Sequence, residues 1–207
     1  MLTTLANVKA RLKLADSDQT DDDLLAGIII GVSTRFEMEC NRTFGYAIGA
    51  IEEFTGDLTE IFARYYPVDL SQPIVFQYAT TFNPASAEAP GWQTPVDPVD
   101  FLVRKGCVIA LENRLAEWNQ LGRVTYSGGY VLPDGSSPAP PPGSSPPALP
   151  QDLQNAAVEQ VAYWYQGRSR LGLASVSGDG GAVTQYKTLD LLPSVRAVLA
   201  KYERWCP

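Results

Sequence analysis

The sequence predicts an α+β protein: a four-helix body, made of two N-terminal and two C-terminal helices, with a β-rich antiparallel insertion. Three observations carry this. Apolar residues recur at helical spacing in residues 1–45 and again in 150–207, whereas 46–130 holds short β-branched and aromatic runs between turn residues. A proline-rich stretch at 131–149 separates the insertion from the last two helices. At 207 residues the chain is long for one average domain and short for two, which fits one domain with an elaborated insertion.

The first helix is read from Leu5, Val8 and Leu12, and the second from the single stripe of Leu25, Ile28, Ile29, Val32, Phe36 and Cys40. Between them Thr20 offers an N-cap hydroxyl and Asp23 a carboxylate three residues on, which satisfy free amides and complement the helix dipole. A calcium loop beginning at Asp16 and Asp18 is rejected. Its sixth position is Asp21 instead of glycine, and its twelfth is Gly27 instead of a bidentate glutamate. Gly27 and Gly31 each cost about 1 kcal/mol against alanine in a helix, so they mark a close helix contact, within the subunit or between subunits.

Strands are expected at 51–54, 60–65, 73–78, 101–104, 108–111 and 123–126, in an antiparallel meander or small sandwich. Pairs such as Gly56 and Asp57, Lys105 and Gly106, and Gly128 and Gly129 punctuate them. Eight prolines from Pro133 to Pro150 cannot build a core. They favour a spacer over a Pro-x-x-P ligand, since no basic residue lies between Arg123 and Arg168. Pro150 suits a first helical turn, and Leu153, Ala156, Ala157, Val161 and Trp164 then form an apolar face running to about Arg168. Residues 172–181 read as a loop. Pro193 opens a final helix whose stripe, Val195, Val198, Leu199 and Tyr202, is expected to bury more fully against a partner.

Composition excludes several functions. Histidine is absent, which removes the usual general base and imidazole metal ligand. Cys40, Cys107 and Cys206 are scattered, without the spacing of a disulfide framework or zinc site. The Ser-Gly-Asp-Gly-Gly run at 177–181 lacks the Gly-Lys-Ser/Thr ending of a P-loop. Glu37 with Glu39 and Glu52 with Glu53 sit one or two apart, so they read as solvated surface charge and not as an acid–base pair. The net charge is −7, and residues 1–60 hold eleven acids against five bases, the opposite of a DNA-binding footprint. No apolar run is long enough to span a bilayer and no cleavable signal precedes the first helix, so a soluble, non-secreted protein is expected. Trp92, Trp118 and Trp205 are candidate interface anchors, while Trp164 reads as core.

The order of these segments resembles the head-tail connector (adaptor) proteins of long-tailed bacteriophages. There a short lysine-containing helix, an aspartate-rich turn and a second apolar helix ending near an aromatic and an arginine recur. The Arg-Val-Thr-Tyr-Ser-Gly-Gly-Tyr run at 123–130 looks like that family's strand and turn, and 149–157 like its next helix start. Residues 168–172 look like that helix's exit, and 191–202 like the terminal helix.

The resemblance implies a non-enzymatic virion protein in the neck, made in the bacterial cytoplasm. It would form a dodecameric ring with copies of itself beneath the portal protein and carry a stopper or tail-completion protein. DNA would pass its lumen without specific binding; no membrane, metal or cofactor is implied. The terminal helix would engage the portal through Val195, Arg196, Val198, Leu199, Lys201, Tyr202 and Arg204. For Arg196, Lys201 and Arg204, complementing the helix dipole is the simpler role. Gly178, Asp179, Gly180 and Gly181 would form an inter-subunit loop. A monomeric protein-binding module using the β insertion or the proline-rich segment is the alternative.

Overall fold

The computed structural model describes residues 1–79, 91–168, 175–177, 183–185 and 190–204. Among them are four helices and antiparallel sheets, so the fold is mixed α+β with a β-rich region. The chain divides into two compact units. Unit 1 comprises Met1–Cys40 and Leu149–Glu203; unit 2 comprises Asn41–Ala148 together with Arg204.

Unit 1 contains α1 (Leu5–Leu12), α2 (Asp22–Glu39), α3 (Gln151–Gly167) and α4 (Pro193–Leu199). Thr4 starts α1, its hydroxyl accepting the Asn7 amide at 3.3 Å, and Lys13 ends it in the left-handed conformation. The residue before α2 is Asp21, and its side chain makes no capping bond. Thr20 is therefore not the cap expected of it. The Asp18 carboxylate takes the Thr20 amide at 3.1 Å in a tight Asx turn, which places Thr20 inside the turn instead of at the helix boundary.

α1, α2 and α3 touch pairwise and α4 packs on α3. The core draws Leu25, Ile29, Val32 and Phe36 from α2, Leu153, Ala157 and Val161 from α3, and Val195 and Leu199 from α4. Each large apolar side chain so buried contributes roughly 1.5–3 kcal/mol. Gln160, fully buried, sets the entry to α4: its Nε2 donates to the Asp190 carbonyl at 3.2 Å and its Oε1 accepts the Leu192 amide at 2.9 Å.

Unit 2 is built from β1 (Ala47–Thr55), β2 (Glu60–Phe62), β3 (Val75–Ala79), β4 (Trp92–Gln93), β5 (Phe101–Arg104), β6 (Val108–Leu111) and β7 (Leu121–Gly128). One sheet runs β1-β7-β3-β4 and the other β2-β6-β5. The first is not a meander, because β1 pairs with β7 across the whole insertion. Phe54 stands opposite Gly122 and lies over it, so that a Cβ there would meet the ring at 2.4 Å. Inward residues of both sheets share one core, with Ile61, Phe76, Ile109, Leu111, Val124 and Tyr126 at its centre. In unit 1, β8 (Ser175–Ser177) pairs with β9 (Val183–Gln185), so 172–181 contains a strand where only a loop was expected. Three residues of mixed serine and valine are too few for hydrophobic alternation to register.

The proline-rich stretch is fastened within unit 2. The Val131 amide donates to the Pro147 carbonyl at 2.9 Å, and the Leu132 amide to Ser137 Oγ at 2.9 Å. The Ser144 hydroxyl donates to Asp69, which also receives Tyr46 Oη at 2.8 Å. Prolines remove amide donors, so serine hydroxyls and the flanking amides supply the attachment.

Two expectations follow. At Gly128 a Cβ would stand 2.3 Å from the Tyr65 carbonyl oxygen and 2.9 Å from that of Pro67, so Gly128→Ala is expected to cost about 3 kcal/mol by overpacking, measured by urea denaturation. Burial alone would raise the Asp69 pKa, but hydrogen bonds from Ser144, Ser71 and Tyr46 outweigh it and hold the carboxyl below its ordinary value. A depressed carboxyl stabilises the fold above its unfolded pKa of about 3.9, and that contribution is lost as pH falls through the folded value. Asp69→Asn should flatten this acid limb in a pH series of melting temperatures.

Candidate functional site

Three arrangements of polar side chains and one exposed apolar helix face stand out, and each polar one contains a residue whose sequence position reads as ordinary surface. The first is Lys9, which is 4% exposed although it lies on an eight-residue surface helix. Its ammonium donates to the carbonyls of Asp18 (2.7 Å) and Asp16 (3.4 Å) and lies 2.6 Å from Asp22 Oδ1. The acidic turn thus closes around a cation belonging to the chain itself. Asp21, next to it, receives the Tyr165 hydroxyl and lies 3.6 Å from Arg168 Nη2. That hydrogen bond, with burial second, pushes the Tyr165 phenol up.

The second is Arg42, 1% exposed, whose guanidinium carbon sits 3.1 Å from the Tyr66 ring centroid, 4.7 Å from Phe44 and 5.4 Å from Tyr130. It donates to the Tyr66 carbonyl, while its Nε and Nη1 are buried with no partner among the described residues. Burial pulls its pKa down, against the nearby tyrosines.

The third joins Glu52, Tyr126 and Arg204. The Tyr126 hydroxyl donates to Glu52 and accepts the amides of Arg64 (2.9 Å) and Tyr65 (3.1 Å). Arg204 Nη2 reaches Glu52 Oε2 at 3.0 Å and also donates to the Phe62 carbonyl. Burial first, then the Glu52 charge, drives the Tyr126 phenol far up. Glu52, read as solvated, has a side chain only 14% exposed. The signal was strand alternation: Glu52 shares inward parity with Ala50 and Phe54, whereas Glu53 faces out to Arg123 at 2.8 Å.

The fourth is the outward side of α2. Leu24, Ile30 and Met38 are 45%, 55% and 69% exposed, and a Cβ at Gly27 would have no heavy atom within 4 Å. Among the described residues nothing forms the helix contact expected at Gly27; at Gly31 the nearest atom is Trp164 Cζ3, at 3.8 Å.

Of the residues expected to meet a portal, Val195 and Leu199 are buried within unit 1 and Val198 and Tyr202 are half-buried. The Tyr202 hydroxyl donates to Asp152 Oδ1 at 2.6 Å. Arg196, paired with Asp190, and Lys201, 3.7 Å from Asp152 Oδ2, remain exposed. A shallow cleft between the end of α2 and α4 is lined by Glu39, Arg196, Leu199, Ala200 and Glu203. Gly178, Asp179, Gly180, Gly181 and Trp205 lie outside the described residues. Among the described residues no three His, Cys, Asp or Glu side chains converge to hold a metal, and no helix is long and apolar enough to cross a membrane.

No family model matches this chain. No curated protein matches it either. Among solved structures it is similar to a chain from the neck of an empty gene transfer agent (GTA) particle computed with C6 symmetry, with a TM-score of 0.54 at 12% identity. The match covers 98% of this chain and 89% of that one. A chain from the neck of a native GTA particle, computed with C12 symmetry, gives a TM-score of 0.48 at 14% identity over the same shares. At such identity the likeness is one of fold.

Replacing the buried ammonium tests the first arrangement. Lys9→Met strands the Asp22 carboxylate and two carbonyls, so a loss of about 1–3 kcal/mol is expected in urea denaturation monitored by helical circular dichroism.

Proposed function

We propose that the chain is a structural, non-enzymatic subunit of the neck of a phage-like particle: an adaptor that forms a ring beneath the portal and carries a stopper or tail-completion protein. One observation carries the reading. The likeness to a GTA neck chain extends over 98% of this chain, through both helical parts and the β-rich part between them. The C6 symmetry of that neck supports a ring of copies, while the dodecameric number rests on the sequence resemblance alone. A net charge of −7 suits a lumen that lets DNA pass without holding it.

In this reading the portal meets the outer side of α4 through Arg196 and Lys201, because Val195 and Leu199 are occupied in the core of unit 1. Gly178, Asp179, Gly180 and Gly181 reach a neighbouring copy. A monomeric binding module is the second reading, favoured by Trp118, 73% exposed beyond β6. Mass measurement separates the two. The purified chain is expected to be largely monomeric alone and to form rings when the particle's own portal ring is added as template. Arg196→Glu combined with Lys201→Glu should weaken that attachment about tenfold, the equivalent of 1.4 kcal/mol, without lowering the melting temperature. A chain that stays monomeric on the portal at every concentration sinks the adaptor reading.

A further inference from the structure

α2 is apolar on two sides. Its inner stripe fills unit 1, while Leu24, Gly27, Ile30, Gly31 and Met38 form a second stripe on the opposite side, about 20 Å long at 1.5 Å per residue. Thr34 lies on the same side between Gly31 and Met38, so the exposed apolar residues are concentrated in the first half of the helix, and a cluster of that kind marks a contact surface. Gly27 adds a sharper point, since a mid-helix glycine with open space where its Cβ would stand has no packing reason among the described residues.

The same unit carries a surface that fits this stripe. The exposed side of α1 presents the small residues Ala6 and Ala10, spaced four apart like Gly27 and Gly31, and the cations Arg11 and Lys13. Among the described residues neither cation has an ion-pair partner, and neither does Asp23, exposed beside Leu24 at the head of the stripe.

We propose that the outward face of α2 receives α1 of a second copy of this chain, the helices antiparallel. Ala10 and Ala6 of that copy stand against Gly27 and Gly31, and its Arg11 and Lys13 against Asp23. The inference rests on the ring reading and supplies its subunit contact. Because α1, α2 and α3 touch pairwise, the outward faces of α1 and α2 point in different directions from a common axis. Contact between two unlike faces is heterologous, the kind that propagates and closes into rings. A stripe this short falls below the roughly 800 Å² per partner of a stable interface, so the contact is weak until a template gathers many copies.

Cross-linking at high concentration tests it in the full chain, with Cys107→Ser and Cys206→Ser as background. One preparation carries Gly27→Cys and another Ala10→Cys. Mixed, they are expected to form a disulfide about tenfold faster than either forms with itself. Self-pairing of the Gly27→Cys chain at an equal rate, or no mixed product, overturns the contact. As a second measurement, Gly27→Leu should leave the isolated subunit folded yet abolish incorporation into portal-templated rings. Rings that form undiminished from this variant overturn the inference and leave the adaptor reading standing, whereas failure of the unaltered chain to form rings removes that reading instead.

Discussion

A guanidinium without a counter-ion among the described residues, packed between aromatic rings, fixes unit 2 where the chain leaves α2. Arg42 lies two residues beyond the Cys40 cap, and the segments supplying its rings are bound to one another through the backbone. The Thr43 amide donates to the Arg64 carbonyl at 3.2 Å, Tyr46 and Tyr130 amides to the carbonyls of Tyr130 and Phe44 at 2.8 Å, and the Gly129 amide to Pro67 at 3.0 Å. Removing that charge from water is costly, and the faces of Tyr66, Phe44 and Tyr130 offset it through their quadrupoles. Gly128 and Gly129 sit where these segments cross because a Cβ at Gly128 would meet the Tyr65 and Pro67 carbonyl oxygens, and one at Gly129 the Gly45 carbonyl.

The acid excess of residues 1–60 has a similar logic. Asp22 is spent on Lys9, Asp21 on Tyr165 and Arg168, Glu39 on Arg35, Glu52 on Arg204, Glu53 on Arg123 and Glu60 on Arg104. Only the pairs at Asp22 and Glu52 are largely buried and brace the interior; the other four lie at the surface and contribute little. The side chains left without such a partner among the described residues include Arg11, Lys13 and Asp23, on the exposed sides of α1 and α2.

The elements legible in the sequence are those whose partners are near in the chain. The strands at 101–104 and 108–111 match residue for residue, because Lys105 and Gly106 supply the positive φ angles of the turn between them. The stripe of α2 was equally plain. The pairing of β1 with β7 was not, since roughly seventy residues separate them and alternation names a face but no partner. Lys9 and Arg42 were invisible for a different reason. A lone cation on an amphipathic segment reads as solvated, and only the three-dimensional closure of the acidic turn and the aromatic box reveals that it is enclosed.

Unit 1 is assembled from the two ends of the chain, with residues 41–148 threaded between its halves. During synthesis α1 and α2 leave the ribosome first, and at about 10 residues per second they wait on the order of 10 s for α3. Until then both apolar sides of α2 are bare. The inner side is a claim reserved for the chain's own later helices, so a prematurely terminated product retains a sticky hairpin that cannot be completed. Exposed apolar surface of that kind is what makes incomplete folding intermediates prone to aggregate. The discontinuous arrangement thus makes burial of the inner stripe depend on α3 and α4, helices that follow α2 only after the whole of unit 2 has been made.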